Sequence, residues 1–192
     1  MLNSRYDTSV LSLTITPTMA CNFRCTYCFE SGHYSNGHMS EDTEENICKM
    51  VEQEASHLEK LVVTWYGGEP LLAISPIERL TKKFKKICKR FNIEYSASII
   101  TNGYLLTEDV CNKLLDLDIT DAQITLDGDA KIHNSRRPLA NGGGTYEKKL
   151  WIIWIKFTGK SELLSASMLT KKIRMKYRQL LMNLKEREYM KT

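Results

Sequence analysis

The chain has 192 residues, 42% hydrophobic and 26% charged, with a formal net charge of +4 and six cysteines. That supplies one globular domain with a buried core, and it excludes a disordered tail, a membrane-spanning bundle and a small disulfide-stapled scaffold. The charge is uneven, because residues 151–192 hold ten Lys and Arg against three Asp and Glu, which leaves 17 against 20 in residues 1–150.

In chain order, Leu11 to Thr16 (LSLTIT) reads as a strand that delivers the chain into a loop with Cys21, Cys25 and Cys28, in the run MACNFRCTYCFE. A polar Ser, Gly and His loop follows. Glu41 to Leu58 then reads as a helix, with Ile47, Met50, Val51 and Ala55 on one side and acids in its first turn. Lys60 to Trp65 (KLVVTW) is short and nearly all apolar, as suits a parallel strand covered on both faces. Ser75, Pro76 and Glu78 give a capping residue, a first-turn proline and an acid three on, so they open a second helix that runs to about Arg90. Glu94 to Ile100 is a third strand, Glu108 to Leu117 a third helix, and Asp121 to Leu126 a fourth strand. Strands alternating with helices and no hairpin signal predict an α/β protein with a parallel sheet. Cys48, Cys88 and Cys111 fall in helix-like runs and are expected to be buried structural thiols.

The spacing C-x3-C-x2-C offers three thiolates where a closed zinc site or an all-cysteine iron–sulfur cluster uses four ligands. Two readings stand on spacing alone. Either His33 or His38 completes a structural zinc knuckle, or a cluster keeps one iron open for a small molecule. With Tyr27 just before the third cysteine, the run resembles the signature of the radical S-adenosylmethionine (radical SAM) superfamily. The resemblance implies a partial (β/α)6 barrel of the TIM type and a [4Fe-4S] cluster on Cys21, Cys25 and Cys28. In that family the open iron chelates S-adenosylmethionine, whose reductive cleavage gives a 5′-deoxyadenosyl radical.

The segments after the other strands extend the resemblance, since ligands of parallel α/β folds sit at the carboxyl ends of strands. Tyr66-Gly67-Gly68-Glu69-Pro70 looks like the family's GGE motif, whose paired glycines allow close backbone approach and whose acid contacts the cofactor's amino group. Thr101-Asn102-Gly103 is a turn in which the Asn102 amide reaches or supports the cofactor. The stretch QITLDGDAKIHNSRRPLANGGGTYEK is similar to the segment after the fourth strand in radical SAM peptide and protein maturases, including the anaerobic sulfatase-maturating enzymes. That similarity implies that Thr125 contacts the methionyl part, Arg137 the carboxylate, Tyr27 the adenine through its backbone, and that Gly68 closes the methionine pocket. Arg136 reads as a solvated loop residue, and His133 as a residue that caps or packs the loop.

After Lys148 the resemblance stops. Residues 150–192 form an atypical basic tail, and reading its codons one base earlier can yield an alternating strand and an amphipathic helix, so a frameshift near Glu147-Lys148-Lys149 is expected. On that reading residues 1–149 are the amino-terminal part of the core, truncated after about the fourth strand. An apolar edge and face are then exposed, and the product is poorly active. The resemblance further implies a peptide or protein substrate and an electron donor such as a flavodoxin or ferredoxin, with no nucleic acid and no membrane, in the cytoplasm. A zinc-holding nucleic-acid module and a glycyl-radical-enzyme activase are the alternatives, and the DGDAKIHNSRR segment is not expected of an activase.

Overall fold

Apolar alternation decides which side of each strand is covered. The computed structural model describes residues 8–32 and 35–148. In it β1 (Val10–Ile15), β2 (Lys60–Trp65), β3 (Glu94–Thr101) and β4 (Ile119–Ile124) pair in chain order, all parallel. Register sets Ile15 beside Trp65 and Trp65 beside Ile99, so one face carries Leu61, Val63, Trp65, Ala97 and Ile99. Those residues are buried against Val51, Ile77, Leu80, Phe84 and Leu114. Burying side chains of this size stabilises by about 1.5–3 kcal/mol each.

The helices are α1 (Glu41–Glu54), α2 (Ile74–Phe91), α3 (Glu108–Asp116) and α4 (Ala130–Arg136), and the first three supply the other half of that core. Ser40, Thr107 and Asp129 cap α1, α3 and α4 by accepting from the amides of Thr43, Val110 and Ile132. The expected Ser75 cap is not used. A 3₁₀ turn over Pro70–Ala73 feeds straight into α2, so Ser75 lies inside the helix and Pro76 in its first turn, where a missing N–H costs nothing. Asn92 ends α2 in the left-handed conformation at φ 58° and donates its N–H to Cys88. Between α1 and α2, Arg79 grips the buried Glu44 at 2.5 and 3.0 Å, Lys83 meets Glu45 at 3.0 Å and Arg90 meets Glu52. Cys48, Cys88 and Cys111 are buried, as their helical context implied.

The opposite face of the sheet is more polar than the sequence reading allowed. It presents Ser12, Thr14, Thr64, Ser98 and Gln123, none fully buried, with Thr64 and Ser98 sharing a hydrogen bond at 3.3 Å. Val10, Val62 and Ile100 lie on the same face, so the face expected to be apolar is mixed among the described residues. β1 and β4 are the two edges of the described sheet, which is not closed. The tail of residues 150–192, and the frameshift expected there, lie outside the described residues.

Candidate active site

Every strand of this sheet runs the same way, so the loops after β1, β2, β3 and β4 gather at one end. The cysteine loop leaves β1 and is laid against the segment following α4. Arg24 N–H donates to the Pro138 carbonyl, Thr26 N–H to that of Arg136, and Ala140 N–H to that of Asn22, all within 2.9 Å. Phe23 bridges to Leu139 and is buried, its ring edge-on to Tyr104 at 5.9 Å. The loop from the first strand is thus clasped to the unit built on the fourth.

Cys21, Cys25 and Cys28 are half-buried thiols on this loop, none of them in a disulfide. Burial pushes the Cys21 thiol up, the Phe23 amide at 3.4 Å opposes that, and the charges of Glu69, Cys25 and Cys28 add to the rise. Among the described residues no three His, Cys, Asp or Glu are gathered to hold an ion, the three thiols and His38 included. His33 lies outside the described residues. An iron–sulfur cube takes its thiolates at separate corners and makes no such demand.

The glycine pair after β2 owes its identity to packing against this loop. A Cβ on Gly68 would sit 2.4 Å from the Ala20 carbonyl oxygen and 2.5 Å from that of Met19, and one on Gly67, at φ +124°, 2.5 Å from that of Thr18. Only glycine lets the Gly68 and Glu69 amides reach the carbonyls of Thr18 and Ala20, at 3.2 and 2.8 Å. Glu69 has no exposed surface. Its Oε1 accepts from the Thr101 hydroxyl at 2.6 Å and the Leu71 amide at 3.1 Å, and its Oε2 from the Asn102 amide at 2.7 Å. Asn102 in turn donates its side-chain amide to Asn22 Oδ1 at 2.7 Å and accepts from Tyr104 N–H. Of the two roles open to Asn102, these contacts make it a support, tying the third loop to the residue after Cys21. Asn22 and Thr101 carry no family signature and were not singled out from sequence; a polar residue inside a cysteine loop was the available hint.

On the far side, Arg137 donates from Nη1 to the Tyr27 hydroxyl at 2.6 Å, and its guanidinium lies 5.9 Å from the ring centre. Its Nε is buried with no partner among the described residues. Arg136 is not merely solvated: its guanidinium stands over the Tyr27 ring at 5.0 Å, with Nε 3.6 Å from Asp127 Oδ2. Burial and the Asp127 carboxylate push the Tyr27 phenol up, against the pull of Arg137. His133 is buried in α4 and accepts from the Asp127 amide through Nδ1 at 3.2 Å, so it packs and caps as its sequence context suggested. Thr125 lies just past β4, partly exposed. The geometry brings together the thiols, the glycine pair, Glu69 and Asn102 through loop contacts, and Tyr27 with Arg137 directly.

Comparison with known proteins gives the same outline. A model of the Radical SAM superfamily matches residues 15–153. A cysteine-type anaerobic sulfatase-maturating enzyme of Clostridium novyi is 33% identical over 145 residues, which is 72% of this chain and 38% of that protein. An uncharacterized protein of Methanocaldococcus jannaschii is 30% identical over 68% of this chain and 43% of its own length. Among solved structures, native anSMEcpe with bound AdoMet and Kp18Cys peptide superposes with a TM-score of 0.70 at 30% identity, covering 81% of this chain and 42% of that one. The chain thus spans about two fifths of the length of the curated relatives it matches.

Proposed function

The chain belongs to the radical SAM superfamily, whose members use a [4Fe-4S] cluster and S-adenosylmethionine (AdoMet), and from that premise we propose that it is an iron–sulfur enzyme of peptide or protein modification. The observation that carries this reading is the convergence of three thiols outside any disulfide with a buried Arg137 Nε that has no partner among the described residues, at one end of a parallel sheet. Cluster and cofactor together supply an oxidant able to take a hydrogen atom from an unactivated carbon. Cys21, Cys25 and Cys28 hold the cluster. Arg137 keeps a donor edge for the cofactor's carboxylate, and a buried N–H left unpaired is costly enough to mark the place of a missing acceptor. Gly67 and Gly68 seat the second loop against the first, and Glu69 with Asn102 fixes the wall on which the amino group rests. Thr125 faces the methionyl part and Tyr27 borders the cluster.

The peptide substrate rests on the similarity to a cysteine-type anaerobic sulfatase-maturating enzyme and to a solved relative described with a peptide bound. A flavodoxin or ferredoxin donates the electron. No helix among the described residues is long and apolar enough to cross a membrane; a cytoplasmic setting is part of the proposal. In this reading the chain binds cluster and cofactor but turns over poorly by itself. The test is anaerobic reconstitution with iron and sulfide, then low-temperature electron paramagnetic resonance of the reduced protein. A cubane signal that changes on adding AdoMet and is lost in Cys25→Ala is expected. A folded, soluble chain that takes up zinc and no cluster overturns the reading.

A further inference from the structure

Tyr27 stands between two arginines and one carboxylate. Arg137 Nη1 donates to its hydroxyl at 2.6 Å, Arg136 covers its ring at 5.0 Å, and Asp127 lies beside it with its side chain 8% exposed. Asp127 is held from behind, because its own amide donates to the buried His133. Among the described residues its Oδ2 makes no well-formed hydrogen bond, Arg136 Nε stands 3.6 Å from it as a counter-charge, and its carboxylate bears on the Tyr27 phenol. A planar guanidinium pinned through Nη1 is left with the side-on edge of Nε and Nη2, which matches a carboxylate with two parallel donors. Two arginines and one aspartate leave a net single positive charge, which is what one carboxylate needs. Both arginines reach Tyr27 from the end of α4, whose backbone is stitched to the cysteine loop through Thr26 N–H and the Arg136 carbonyl.

We propose that Asp127 and Tyr27 are positioning residues that hold Arg137 with its Nε edge turned to the AdoMet carboxylate. The inference rests on the reading of Arg137 given above and extends it to two residues that do not touch the carboxylate themselves. Asp127 neutralises Arg136 and fixes it over the ring, the ring hydroxyl fixes Arg137, and recognition of the carboxylate is thereby tied to the loop that carries the thiols.

The test compares AdoMet with decarboxylated S-adenosylmethionine, which lacks only the carboxylate, each titrated into the reconstituted full chain and followed by its change to the reduced-cluster spectrum. The unaltered protein is expected to bind AdoMet the more tightly. In Asp127→Asn and Tyr27→Phe that preference should shrink by about tenfold, the size expected for a charge-assisted contact. Arg137→Gln should shrink it at least as far. If the unaltered protein shows no preference, or Arg137→Gln keeps it, the assignment of Arg137 itself fails. If Arg137→Gln loses the preference while Asp127→Asn and Tyr27→Phe retain it, Arg137 stands and the positioning role is overturned. Equal weakening toward both ligands in the two variants also overturns it, as the mark of a general loosening. Should Asp127→Asn not take up a cluster, Tyr27→Phe decides alone, since it removes one oxygen and leaves the ring.

Discussion

Glu69 shows how one side chain can serve a site from beneath its surface. Its carboxylate accepts from Thr101, Leu71 and Asn102, and it is wholly shielded. Glu69→Gln turns one of those acceptor atoms into a donor facing a hydroxyl or an N–H. We expect a loss of about 1–3 kcal/mol in the stability of the metal-free chain, measured by thermal unfolding, together with lower iron uptake on reconstitution. The sequence marked Glu69 as an acceptor through its Gly-Gly-Glu-Pro setting, correctly as chemistry. What it could not display is that two of the three donors, Thr101 and Asn102, come from the end of the third strand, over thirty residues away. The glycines tell the same story: their permissiveness was legible, but the 2.4 Å approach to the Ala20 carbonyl depends on where the first loop folds.

At the scale of elements, the strands were legible because apolar runs such as KLVVTW have one reading in a parallel sheet, and their ends moved by two residues or fewer. α4 was not. AKIHNSR has no apolar periodicity, and the helix exists because Asp129 caps it and His133 anchors it. Arg136, read as a solvated loop residue, is exposed but belongs to this helix, and its contact with Tyr27 follows from that turn. The packing of α2 on β3 makes a separate prediction. Burial pushes the Tyr95 phenol up to about 12, and its hydroxyl, like that of Thr81, has no well-formed hydrogen bond. A phenol whose folded pKa lies above its ordinary 10 contributes stability below pH 10 and loses it as pH rises toward 12. Chemical unfolding at stepped pH should record a fall of about 2–3 kcal/mol from this group across that window. In Tyr95→Phe the fall should be flattened.

Across the whole molecule, the clasp between residues 22–26 and 136–140 joins the first βα unit to the last described one without a closed barrel. Hydrogen exchange should therefore find the amides of Arg24, Thr26 and Ala140 protected to a degree approaching that of the strands, in the metal-free protein as well as the reconstituted one; exchange as fast as in an open loop would show the clasp to be unformed. The fold class and parallel order were legible from alternation alone, whereas this long-range contact was not, because backbone donors and acceptors leave no mark in a sequence. The proposal that residues 150–192 are read out of frame is settled by the gene: a run of adenines across the codons of Glu147 to Lys149, and an open shifted frame beyond it, are expected.

The clasp also bears on the order in which the holoprotein is put together. Its bonds run between backbone groups and need no iron, so the loop is expected to take its shape as the chain folds, ahead of any metal.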